Sequence, residues 1–497
     1  MRVIVCAETH IYHHMKQLAV LILLLFSFFI VKAQDVHINV ETQGGVTTDG
    51  VVPFWLRANQ FGSVPSSGGS GSLIGRIWKT RDTSKTFGWS ASFEGRGNAG
   101  DHSKFILVEG VVRAHAGIFE LKAGRSKDII GIVDSTLSSG SFSVSGNALG
   151  VPKVSLGIPQ YYNIPILGKL FSVKGTLSNG YLGDVKVRVG AKPKDFKGYY
   201  LESAFYVKVG KPSWRFKMQA GYNHEALWGD EKRVFSRFGL SPVETYWYVL
   251  TGKLYQGSKV GNHLGSIDLG AEYRFDGVTV SAYRQNLYDI GALWSLANIA
   301  DGLNGICIVN NKPNTSDGFY WKKILVEFLY TVNQAGGINA KQTKSGAENY
   351  YNNYEYEEGW SYNEFALGNP FLTTVNDVRS SQIGEKNKQF FINNRVKAFH
   401  TGAVFGALKC LFTGKFSYSE NWGTYDNGTE RYRSIGGRLR NPGNYGAFTK
   451  THQYSAFLGA VRPLNNGYTV GSDVAFDRGG LLNNSFGFIL KVSKTFM

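Results

Sequence analysis

Cysteine is nearly missing from this chain, with three in 497 residues: Cys6, Cys307 and Cys410. A disulfide-stapled scaffold is therefore excluded, and the last two residues allow at most one bridge in an oxidising compartment. Only one long apolar run exists, residues 18–31, LAVLILLLFSFFIV, so a helical membrane protein with several spans is excluded. Acidic residues are too few to balance the basic ones, 37 against 54, for a formal charge of +17. Catalytic signatures are equally sparse. His224-Glu225-Ala226-Leu227-Trp228 starts like a zinc-protease helix but has no second histidine, which leaves a metal site without its adjacent ligand. Neither GxSxG nor GxxxxGK[ST] occurs, so a lipase-type nucleophile turn and a nucleotide loop are both missing. No metal, cofactor or enzymatic activity is expected.

The apolar run itself is short for a span. It is preceded by Met15-Lys16 and followed by Lys32-Ala33-Gln34, with Val31-x-Ala33 placing small or apolar residues before the cut, the pattern of a cleaved secretory signal. Residues 1–33 are read as that signal, with Met15 as an alternative start and Gln34 as the first mature residue. No cysteine follows the cut, which argues against a lipid anchor. Removing Arg2, Lys16, Lys32 and Glu8 lowers the charge by two, to +15. A basic exported protein favours an anionic partner such as phosphorylated lipid or acidic polysaccharide over nucleic acid. A generic basic surface facing lipopolysaccharide phosphates fits the same charge.

Abundant glycine (61) and tyrosine (27) occupy what remains, and the aromatic content is too high for a disordered chain. In the last segment, Phe486, Phe488, Leu490, Val492 and Phe496 share one parity, against Gly487, Lys491, Ser493 and Thr495, with Lys494 as the interruption. An extended strand would carry one apolar face and one polar face. Alone, this suits the edge of a soluble sandwich as well as the closing strand of a membrane barrel. The pattern recurs, however, at 87–94, 105–113, 117–124, 171–178, 183–190, 199–209, 214–222, 267–275, 278–284, 324–331, 404–418, 452–461 and 468–476. Strands of about ten residues in such number predict an all-β, transmembrane antiparallel barrel of about 18 strands, residues 34–497 forming one domain. Counting back from a periplasmic C-terminus makes 463–467 a short inner turn and 419–448 a long outer loop, the asymmetry such barrels have.

Two features carry candidate recognition chemistry. Glu327 falls on the inward parity and is expected to pair with a basic side chain in the lumen. The loop 419–448 holds Arg431, Arg433, Arg438 and Arg440 among Trp422 and Tyr425; guanidinium groups grip carboxylates and aromatic faces stack on sugars. These six are the expected glycan-binding residues, with Trp360 to Phe371 the next candidate stretch.

Blocks spread over the mature chain resemble the capsule assembly Wzi family of outer-membrane proteins. They are PFWLRANQFG (Pro53 to Gly62), HEALWG (His224 to Gly229), NLYDIGALWSLANIADGLNG (Asn286 to Gly305), VEFLYTVNQAGG (Val326 to Gly337), YYNNYEYEEGWSYNEFALGNP (Tyr350 to Pro370) and FSYSENWGTY (Phe416 to Tyr425). The resemblance implies an 18-stranded barrel with a lumen filled by inward-folded segments. It implies a non-catalytic, lectin-like role in holding capsular polysaccharide or exopolysaccharide at the cell surface, in company with lipopolysaccharide and a capsule export complex, and no cofactor. It gives no sugar-contact residue. A porin or solute channel is the alternative that the same strands would build.

Overall fold

The computed structural model describes residues 36–496 apart from 101–102, 190–191, 230–238, 313–317, 338–347, 430–431, 434–438 and 441–447. Eighteen strands, here β1 to β18, form one closed antiparallel sheet. They are β1 (Val36–Thr47), β2 (Ser70–Lys79), β3 (Phe87–Gly100), β4 (Lys104–Ala116), β5 (Phe119–Arg125), β6 (Lys153–Asn163), β7 (Phe171–Val189), β8 (Lys192–Val209) and β9 (Phe216–Trp228), followed by β10 (Asn262–Arg274), β11 (Val278–Tyr288), β12 (Gly302–Asn310), β13 (Tyr320–Tyr330), β14 (Val396–Ala407), β15 (Cys410–Asn421), β16 (Thr451–Pro463), β17 (Tyr468–Gly479) and β18 (Ser485–Phe496). Each pairs with its neighbours in the chain, and β18 closes on β1 in the register Ile38 to Phe496 through Thr47 to Gly487. Closure leaves no unpaired edge, which hydrocarbon surroundings require.

Alternation decides which side chains face where. Along β18, Phe486, Leu490, Val492 and Phe496 are exposed on the outer wall while Ser485, Gly487 and Ile489 are buried inside. Lys494 interrupts the apolar face, and its ammonium lies over the rings of Tyr468 and Phe496, 4.7 and 5.0 Å from their centres, at the end where a lysine snorkels to the interface. Exposed aromatic rings gather at both ends of the wall, Phe87, Phe119, Phe216, Phe275 and Phe319 at the end with short turns, Tyr181, Tyr199, Phe328, Phe399 and Phe486 at the other. These are the two girdles of an outer-membrane barrel.

Sequence periodicity misplaced some boundaries. The stretch 404–418 is two strands, β14 and β15, joined at Leu408-Lys409, both with positive φ (53° and 61°); the primed two-residue turn that matches strand twist is built here without the usual Asn-Gly. Conversely 171–178 and 183–189 belong to one 19-residue strand, β7, whose register shifts between Tyr181 and Gly183, and Gly190 lies outside the described residues. The block Asn286 to Gly305 is strand at both ends, leaving 289–301 as the connection. Helix Pro242–Thr251 went unread because it is brief, although Ser241 and Glu244 form a capping box with proline at the first position, a sequence-visible start signal. Cys307 and Cys410 are both free.

The core sits inside the barrel. Phe54, Trp55, Phe142, Tyr350, Tyr351, Tyr356, Trp360, Leu367, Phe371 and Phe391, from connections 48–69, 126–152 and 331–395, pack with the inward side chains of Leu227, Leu264, Leu303, Leu329 and Ala398. The lumen is thus filled by ordered chain, as the sequence blocks lead one to expect. Polar anchors fix the filling to the wall. Asp477 in β17 accepts the Phe54 N–H at 2.7 Å, Trp55 donates its indole N–H to Ser417 in β15 at 3.1 Å, and Tyr351 donates to the Phe142 carbonyl.

Glu327 has the predicted inward orientation but not the predicted partner. It accepts from Ser138 Oγ (2.7 Å), from the Ser139 N–H (2.6 Å) and from the Tyr283 hydroxyl, and pairs with no basic side chain among the described residues. Neutral donors from the inserted segment 126–152 reach it first, so it fastens that segment instead of balancing charge.

Candidate functional site

A wide space opens at the end with long connections. It is a cavity of about 960 Å³ bordered by the turn after β11, the connection ahead of β10 and the inserted stretch 349–357, with Lys388, Gln389 and Asp426 on its far side. Its chemistry is mixed: the rings of Trp294 and Tyr354, the amides of Asn349, Asn352 and Asn353, the cations Arg188, Lys259 and Lys388, and the carboxylates Asp289, Glu357 and Asp426.

Local sequence explains how Trp294 is displayed there. Asp289-Ile290-Gly291-Ala292 turns sharply at Gly291 (φ 145°) into a single 3₁₀ turn, Ala292–Ser295. Four successive N–H groups, those of Asp289, Ile290, Gly291 and Ala292, converge on the Glu348 carboxylate, at 3.1 Å from Asp289, 2.9 Å from Gly291 and 2.7 Å from Ala292. A concavity of this kind is a fixed anion socket, here filled by the protein's own side chain. Above that locked turn the Trp294 ring is 96% exposed. So large an apolar ring, rigidly mounted and left open, is unusual in a surface loop and suits a stacking contact.

Burial sets the protonation beneath the cavity. Glu348 is pushed up from the usual carboxylate range by burial, against the pull of its four N–H donors. Asp289 is raised well above that range by burial and by the neighbouring Glu348 charge. Asp301, which accepts from the Asn333 and Gln334 N–H groups and the Tyr350 hydroxyl, is raised by burial to about 6.

The sequence-derived residues lie elsewhere. Trp422 and Tyr425 are buried, 6% and 9% exposed, and their rings are already covered: Lys397 and Lys450 sit 4.9 and 4.5 Å from the Trp422 ring, and the Arg395 guanidinium lies 3.8 Å from that of Tyr425. Tyr425 further donates to the Val332 and Asn333 carbonyls. The expectation that these two rings offer open stacking faces is corrected; they tie the loop to the wall. Trp360 and Phe371, in the next candidate stretch, are likewise interior. Arg431 and Arg438 lie outside the described residues, and Arg433 and Arg440 belong to a short ladder, Tyr432–Arg433 with Leu439–Arg440, whose side chains also lie outside them. Trp294 was within reach of sequence reasoning, inside a block singled out for its length, but the signal that isolates it is the four-fold N–H convergence on Glu348, 56 or more positions away.

Within the wall the histidine of HEALWG makes a relay. His224 Nδ1 lies 3.0 Å from the Tyr288 hydroxyl and its Nε2 lies 3.1 Å from His263 Nδ1, while His263 Nε2 meets the Val260 carbonyl at 2.7 Å.

Fold and cavity together define a class: an outer-membrane β-barrel of 18 strands with a filled lumen and a wide polar and aromatic cavity at the long-loop end. No family model matches the chain, and no curated protein matches it in sequence. Among solved structures it is similar to Wzi of Escherichia coli, described as an outer membrane protein involved in group 1 capsule assembly and a carbohydrate-binding β-barrel. The TM-score is 0.52 at 10% identity, over 91% of this chain and 83% of that one. It is also similar to Pseudomonas aeruginosa OccK11 (TM-score 0.43, 8% identity, 93% and 95% covered) and Acinetobacter baumannii OccAB2 (0.44, 9%, 93% and 98%). At 10% identity the property shared with Wzi is the fold.

Proposed function

We propose that this protein is a non-catalytic outer-membrane lectin that helps hold an acidic capsular polysaccharide or exopolysaccharide at the cell surface. The observation that carries the reading is Trp294, fully open on a turn locked by Glu348, at the rim of a cavity whose amides and charged groups suit sugar hydroxyls and carboxylates. The fold shared with a carbohydrate-binding capsule-assembly barrel supports it, as does the net positive charge. The long-loop end faces outward in this reading, since barrels of this kind keep their short turns in the periplasm. Arg431, Arg433, Arg438 and Arg440, on the connection that also supplies Asp426 to the cavity, add a screened, multivalent hold on the polymer. Export runs through a signal cut before Gln34, and lipopolysaccharide and a capsule export complex are the neighbours.

The test is Trp294→Ala. Because the ring is exposed, folding and insertion should be unchanged, while retention of labelled acidic polysaccharide by whole cells falls by about tenfold, the scale of one lost aromatic contact. Unchanged retention at equal surface abundance would remove Trp294 from the site. The competing reading, a solute channel, draws on a second cavity of about 840 Å³ at the short-turn end. Steady conductance by the purified protein in planar bilayers would favour it.

A further inference from the structure

We propose that Lys174, Lys208 and Lys217 form an oxyanion site inside the short-turn mouth of the barrel, taking a carboxylate or phosphate group presented from the periplasmic side. The three lie on consecutive strands with inward parity. Lys174 stands opposite Tyr206 and so diagonal to Lys208, and Lys208 stands opposite Gln219 and so diagonal to Lys217. Diagonal neighbours on one face of a sheet are within reach of each other's long side chains, and like charges so placed destabilise the pairing. Four other inward lysines have acids: Lys122 with Asp128, Lys153 with Glu202, Lys323 with Asp134 and Lys491 with Asp473. Lys174, Lys208 and Lys217 form no ion pair among the described residues, although Glu272 stands opposite Lys217 in register and its charge reaches Lys208.

Their geometry is held open by an aromatic pivot. Tyr161 donates to Gln219 Oε1 at 2.9 Å, which pins its ring between Lys174 and Lys208, 5.1 and 4.4 Å from the two ammoniums. Lys174 also faces the Tyr206 ring at 4.7 Å. Ring faces are acceptors of one direction only, so N–H groups remain for a ligand. Space for one adjoins: Lys174 lines a cavity of about 180 Å³ and Tyr161 the neighbouring one of about 840 Å³, which share Glu120, Ile158 and Pro159. With Glu272 opposite Lys217, the three lysines keep a positive excess that an oxyanion offsets in charge-assisted hydrogen bonds and a neutral sugar does not. This site is at the opposite end from the outer cavity and does not depend on it.

Purified barrel in detergent, titrated by calorimetry with pyrophosphate, with glucuronate and with glucose, tests the proposal. Saturable binding of one or both anions that weakens with salt is expected, with none for glucose; which anion binds more tightly identifies the source group. Lys174→Gln/Lys208→Gln should weaken binding by roughly tenfold per lost charged contact. Since lumen substitutions can impair folding, amine acetylation of the parent read by peptide mass spectrometry gives a second measure: bound anion should protect Lys174, Lys208 and Lys217 but not Lys312, an exposed lysine that lines neither cavity. Failure of both anions to bind, or equal acetylation of all four lysines with and without anion, would overturn the site.

Discussion

Glu348 shows how much one residue can set in this molecule. Its carboxylate collects the N–H groups of Asp289 to Ala292, and each buried donor left without an acceptor costs about 1–3 kcal/mol. Glu348→Ala should therefore free the Trp294 turn: hydrogen exchange at residues 289–292 should accelerate, and polysaccharide retention should fall although the Trp294 ring is untouched. Gly368 is a packing counterpart. A Cβ there would overlap the Phe142 carbonyl and the Tyr351 hydroxyl, so Gly368→Ala should lower the urea midpoint by the equivalent of roughly 1–3 kcal/mol while leaving the wall intact. At this scale parity was readable and partnership was not. The inward direction of Glu327 follows from alternation, whereas its acceptor role depends on Ser138 and Ser139, nearly 190 positions away. The same gap misled the reading of Trp422 and Tyr425, which look like exposed loop aromatics in sequence and become anchors only because Arg395, Lys397 and Lys450 arrive to cover them.

Elements divide into those stabilised by pattern and those stabilised by context. The turn at Leu408-Lys409 carries two side chains in left-handed conformations, so replacing the pair with Asn-Gly should stabilise the β14–β15 hairpin, on the order of 1 kcal/mol in thermal unfolding. The inserted stretch 331–395 is context throughout, and its stability should respond to pH through Asp301. The folded pKa of about 6 exceeds the ordinary 3.8, so the native segment keeps a proton that the unfolded one releases. This contribution is fully present below about pH 4 and is lost as pH rises through 6. Exchange protection of the Asn333 and Gln334 amides, corrected for intrinsic rate, should be greater at pH 5 than at pH 7.5, and Asp301→Asn should flatten the difference. Strands were legible in sequence because lipid outside and filling inside enforce period two; the inserted stretch was not, because its rings obey no period and find partners on connections 48–69 and 126–152 and on the wall.

At the scale of the whole molecule, the filled lumen predicts electrical silence. Parent protein in a planar bilayer should show no steady large conductance, and deleting 349–371, which removes Tyr350, Tyr351, Trp360 and Phe371 from the interior, should open one. Sequencing the outer-membrane form should begin at Gln34. The closed sheet also has a kinetic side. The seam between β1 and β18 joins residues as far apart as Asn39 and Thr495, 456 positions, and contacts of such separation form slowly and late. Asp477, one strand from that seam, already grips Phe54. The ring therefore shuts around contents that the two ends of the chain have seated between them, and a polypeptide that lost its final strand would leave an unsealed cup from which those contents escape during assembly.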